Sequence, residues 1–151
     1  MTATVKLTTQ EMYLAGVVGL RRNIESIHSK RKPRFPESVA GELFGFHILG
    51  AMAEMVVAKY LNKYWEFHIN HFESGDLGEY EIRYSKRKDL KIRERDTGIV
   101  ISVTGTPPEF IIAGWADAVE AKEKYAPTAP REGPLAYFVP HDKLQDVELL
   151  K

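Results

Sequence analysis

Three acidic residues in the middle of the chain have the types and spacing to serve one divalent cation. Glu54 lies within GAMAEMVVAKYL, and Asp76 and Glu81 lie within GDLGEYEIR. Glu54 stands four residues after Gly50 and four before Ala58, so a helix would put it on one face with two small residues and draw it inward. A buried carboxylate needs a cation, a basic partner or strong hydrogen bonds, because leaving it unpaired costs several kcal/mol. Taken alone, Glu54 reads as the partner of an Arg or Lys on a neighbouring strand. With Asp76 at a turn flanked by Gly75 and Gly78, and Glu81 just beyond, it reads as one of three oxygen donors delivered by a helix, a turn and a strand. Magnesium and manganese take such hard ligands, with water and substrate phosphate completing the set. A site of that kind activates water, holds a scissile phosphate and stabilises the leaving oxygen, which is the chemistry of a phosphodiesterase.

The elements that must position these acids follow from periodicity. TTQE at Thr8 to Glu11 has the form of a capping box, and Met12, Leu14, Ala15, Val18, Leu20, Ile24 and Ile27 predict a helix reaching about Ser29. A second helix is expected from Val39 to Tyr64, rich in small residues and therefore able to pack closely on a sheet. Trp65, Phe67 and Ile69 alternate with Glu66, His68 and Asn70, which predicts a strand. Tyr80, Ile82 and Tyr84 alternate with Glu81, Arg83 and Ser85, a second strand on which Glu81 and Arg83 share a face. DLKIRERDTG reads as an exposed edge strand or hairpin arm, IVISVTG as a central strand, and FIIAGW as a strand leading into a helix from Asp117 to Tyr125. LAYFVP is a last short strand, followed by a helical turn in HDKLQDVELL. The order predicts an α+β (mixed α/β) fold, with a mostly antiparallel or mixed sheet flanked by helices.

With 151 residues, 44% of them hydrophobic, the chain is sized for a single domain over 1–151. Within it, an N-terminal helix and basic loop take 1–38, a core takes 39–125, and a C-terminal strand and tail take 126–151. Lys plus Arg and Asp plus Glu both number 21, so no global charge argues for nucleic acid and any basic surface must be local. SKRKPRFPE supplies Lys30, Arg31, Lys32 and Arg34, and Lys86, Arg87 and Lys88 form a second run. Most such runs are solvated loops; the functional reading is contact with a phosphate backbone. The absence of cysteine excludes a disulfide scaffold and thiolate zinc sites and fits a reducing compartment. The apolar runs read as too short for a bilayer and no signal core is visible, so a cytoplasmic, membrane-free protein is expected. His47, His68, His71 and His141 are too scattered to suggest a zinc set. Trp65, Phe67, Tyr80 and Tyr84 fit a core better than a base-stacking platform. No nucleophile-elbow serine and no phosphate-binding GxxxxGK[ST] loop occurs.

GAMAEMVVAKYL followed by GDLGEYEIR resembles the PD-(D/E)XK nuclease superfamily, whose pattern is a helical Glu, an Asp, and Glu-x-Lys in a strand. The likeness covers about the central third of the chain, and the order of later elements is similar to that of small phage proteins with the same restriction-endonuclease-like core. It implies Glu54, Asp76 and Glu81 as ligands of Mg²⁺ or Mn²⁺, with the main-chain carbonyl of Ile82 as a further ligand. It also implies Arg83 in the place of the family's lysine, which orients or activates the attacking water. An arginine stays protonated, so Arg83 would bind phosphate or stabilise charge without acting as a base. The implied activity is hydrolysis of nucleic acid, with DNA the expected substrate and the two basic runs as backbone contacts. A homodimer suits a small nuclease that cuts two strands. The alternatives are an inactive nucleic-acid-binding or phage accessory protein on the same fold, and a structural module in which the acids are ordinary salt-bridge partners.

Overall fold

The computed structural model describes residues 2–29, 40–69, 75–129 and 134–151. Strand β1 (Ala3–Lys6) leads into α1 (Thr9–His28) and α2 (Ala40–Tyr60), followed by β2 (Glu81–Tyr84), β3 (Asp89–Arg93), β4 (Ile99–Thr106) and β5 (Glu109–Asp117). Helix α3 (Ala118–Lys124) and strand β6 (Ala136–Pro140) precede two short 3₁₀ turns at the C-terminus. The fold is α+β, as the periodicities predict.

The main sheet has the order β1-β5-β4-β2; β2 runs parallel to β4, and the other pairs are antiparallel. Strands β3 and β6 form a separate antiparallel pair. IVISV is apolar almost throughout because β4 is covered on both faces. Ile101 and Val103 join the cluster under α1 and α2, whereas Val100 joins the one built by β3, β6 and α3. DLKIR is therefore no exposed arm: Leu90 and Ile92 are almost completely buried in that second cluster.

Helix α1 starts at the expected capping box, with Thr8 and Glu11 exchanging side-chain and backbone hydrogen bonds. It crosses α2 at Gly19, where an added Cβ would lie 2.6 Å from the carbonyl oxygen of His47. Only glycine permits that approach. Residues 51–58 of α2 are buried without interruption, packed between α1 and the sheet. From Glu42 to Tyr60 this helix has the length and hydropathy of a membrane span, which the sequence reading missed by looking at unbroken apolar runs. Its buried share, 44%, lies against the rest of the protein.

Two further sequence expectations are corrected. Helix α2 ends at Tyr60 rather than Tyr64, because the chain turns through Asn62 in a left-handed conformation. Trp65 to Ile69 is not a strand; Phe67 has positive φ, and Trp65 turns inward to serve Glu54 rather than alternating on a sheet. The N-terminus also carries β1, for which the sequence offers no local pattern: its partner residues Glu109 to Ile112 lie more than a hundred positions away.

Candidate functional site

Glu54 is buried, as its small-residue face predicts. Its compensation comes from the neighbouring helix: Arg22 of α1 donates Nη1 to Oε1 at 2.6 Å and Nη2 to Oε2 at 2.8 Å. The indole Nε1 of Trp65 adds a bond of 2.9 Å to Oε2. Arg22 also donates Nε to the carbonyl of His68 at 2.6 Å, which anchors the segment after α2 to α1. A planar guanidinium meeting a carboxylate edge to edge is the strongest ion-pair geometry proteins use.

Asp76 occupies a tight turn closed by reciprocal backbone bonds of 3.1 Å between Leu77 and Tyr80, with Gly78 left-handed. Its Oδ2 accepts the backbone N–H of Ile82 at 2.8 Å. Among the described residues β2 is the last strand of the sheet, so this carboxylate caps its outer edge. The N–H and C=O of one strand residue leave on the same side, so the Ile82 carbonyl faces the same edge. Burial, then the charges of Glu54 and Glu81, push the Asp76 carboxyl up to about 6, against lesser opposing effects of the Ile82 N–H and Arg83. Among the described residues Asp76 receives no hydrogen bond from a cationic side chain.

Glu81 and Arg83 share a face of β2, and strand parity puts that face opposite Ile82, which is buried under α2. Arg83 Nη1 donates to Glu81 at 2.9 Å, and Nη2 donates to both oxygens of Asp96 at 2.9 and 3.1 Å. Asp96 is buried and also accepts the backbone N–H of Arg93 at 2.8 Å. At the edge of β2 the charges of Glu54 and Glu81 both act on Asp76. Glu54 has its own arginine, Glu81 shares one with Asp96, and Asp76 has none among the described residues.

Sequence reasoning missed three members of this cluster. Arg22 lies on a helix where a strand was expected to supply the cation; Asp96 lay in a charged turn; Trp65 was assigned to a strand. The only advance signal for Arg22 was a charged residue among the inward positions of α1. Lys86, Arg87 and Lys88 are exposed between β2 and β3, with Arg87 held by Asp89 at 3.0 Å and stacked over Phe138. Lys30, Arg31, Lys32, Arg34 and His71 lie outside the described residues. His68 pairs with Glu66 at 2.7 Å. His141 contacts Ser102 at 3.0 Å, but Ser102 is buried in β4 and closed to a substrate.

The donor set fits a hard divalent cation in part. Among the described residues no three acidic or imidazole side chains gather closely enough to enclose an ion by themselves. Asp76 and Glu81 each keep an oxygen outside the hydrogen bonds named above, and Asp76 is hydrogen-bonded to the N–H of Ile82, whose carbonyl faces the same edge. Two carboxylates with water and substrate oxygens are a normal complement for magnesium. Glu54 could join them only by giving up Arg22. Comparison with protein-family models, curated proteins and solved structures gave no match to the chain.

Proposed function

We propose that the chain is a divalent-metal-dependent phosphodiesterase acting on DNA, a nuclease whose Mg²⁺ or Mn²⁺ site is the open edge of β2. The observation that carries this reading is Asp76: a half-buried carboxylate that, among the described residues, accepts no hydrogen bond from a cationic side chain and feels the charges of both Glu54 and Glu81. Asp76, Glu81 and the Ile82 carbonyl would hold the ion, with Glu54 adding negative field from the helix side. When bound, the cation would polarise the phosphodiester and lower the pKa of water. Arg83 orients Glu81 and remains charged, so it contributes no general base. Lys86 and Lys88, exposed nearby in sequence, are the described candidates for backbone phosphates. The resemblance to the PD-(D/E)XK pattern supports the same assignment.

A second reading, a DNA-binding protein without cleavage, is favoured by two specific features. The arginine at the lysine position is committed to Asp96, and Glu54 is committed to Arg22. The discriminating experiment incubates supercoiled and single-stranded DNA with the wild type and Asp76→Asn in Mn²⁺, then in chelator. Metal-dependent nicking lost in Asp76→Asn supports the nuclease. Retention of DNA by a wild type that never cuts it supports the second reading.

A further inference from the structure

Helix α1 shows solvent a surface that its own fold does not use. Tyr13, Val17, Leu20, Ile24 and Ile27 are all exposed, and they follow one another at spacings of four, three, four and three residues. That alternation is the 3.5-residue repeat of a two-helix seam, not the broader stripe that a helix turns toward a globular core. The core-facing side of α1 is a different one: Ala15, Val18 and Gly19 are buried there. β-branched Val17 and Ile24 occupy one set of seam positions and Leu20 the middle of the other, the composition that favours two strands. Leu14 widens the seam on one flank, and Gly16 keeps the other low, with nothing within 4 Å of an added Cβ.

We propose that this seam pairs with the same seam of a second copy of the chain. The area is sufficient: these six side chains, 41–73% exposed, present on the order of 600 Å² per chain, so two copies bring on the order of 1,200 Å², within the range of specific interfaces. A seam matched in length and register to another α1 is most simply met by α1 itself, through a two-fold axis that makes the interface self-complementary. The occupant is thus a second copy rather than a lipid surface. On the described part of α1 only Arg21 and His28 flank the seam as basic groups; lipid binding, which the basic run Lys30 to Arg34 would assist, is an outcome the test distinguishes. The inference does not rest on the nuclease reading and stands or falls separately from it.

The test uses the absence of cysteine from the chain. Leu20 is the middle of the seam and meets its counterpart whichever way the helices run. The full-length Leu20→Cys chain under mild oxidation is expected to give a disulfide-linked dimer, whereas Leu149→Cys, exposed elsewhere, stays monomeric. In parallel, light scattering over a concentration series should give twice the 17.2 kDa chain mass for the wild type. The same measurement on Val17→Glu with Ile24→Glu should give the single-chain mass, with a dimer dissociation constant weakened at least tenfold and an unchanged helical circular dichroism. A wild type that is monomeric throughout, or a dimer that survives the double substitution, overturns the proposal. So does binding of the monomer to anionic vesicles in place of dimerisation.

Discussion

At the scale of single residues, the cluster at the β2 edge carries opposite costs at its two ends. Glu54 is buried and fully compensated, so removing the compensation is expensive while removing the whole pair is not. Arg22→Ala is expected to lose about 3–5 kcal/mol of stability in urea denaturation, and Arg22→Met with Glu54→Leu to recover most of it. Asp76 behaves in the reverse sense. Its carboxyl is raised to about 6 by burial and by Glu54 and Glu81, so between about pH 4 and 6 the folded chain binds more protons than the unfolded chain. The stability this group contributes is complete below about pH 4 and is lost as the pH rises through about 6. Asp76→Asn keeps an oxygen for the Ile82 N–H and cannot ionise. It is expected to stabilise the metal-free protein at pH 7 by on the order of 2 kcal/mol and to flatten the rise in melting temperature between pH 7 and pH 5. A carboxylate that weakens the fold at neutral pH is consistent with a cation-binding role.

At the scale of elements, the approach of α1 to α2 at Gly19 decides whether Arg22 can reach Glu54. Gly19→Ala would press a methyl group on the backbone of His47 and Ile48 and is expected to cost about 1–3 kcal/mol, measured as a fall in melting temperature. Position Gly16, one turn earlier and open, should accept alanine with a slight gain. The two long helices, the parity of β2 and the buried character of β4 were legible in the sequence because each is written in a repeating pattern of apolar residues. What was not legible depends on partners far along the chain. Strand β1 exists through β5, the pairing of β3 with β6 replaces an exposed arm, and Trp65 leaves the strand pattern to satisfy a carboxylate eleven residues before it. The acids were found by residue type and spacing; Arg22 and Asp96 were not, because ion pairs across elements leave no local periodicity.

At the scale of the whole molecule, equal numbers of acidic and basic residues mean that the DNA affinity the proposed function requires would have to come from local groups. Substituting Lys86 and Lys88 together by alanine is expected to weaken binding to DNA of any sequence and to reduce the slope of log K against log salt by about 0.9 for each phosphate contact removed. Arg87, held by Asp89 and Phe138, should matter less. The proposed pairing along α1 would place two β2 edges in one particle, giving two cation sites per assembly. The central claim is nonetheless carried by one chain and one edge. Calorimetric titration of the metal-free wild type with Mn²⁺, beside Asp76→Asn with Glu81→Gln, tests it most directly. One ion bound per wild-type chain, with proton release at pH 6 and no binding by the double variant, is the predicted result. No heat of binding to the wild type, or equal binding by both proteins, would contradict the assignment and leave Glu54, Asp76 and Glu81 as members of a structural ion-pair network.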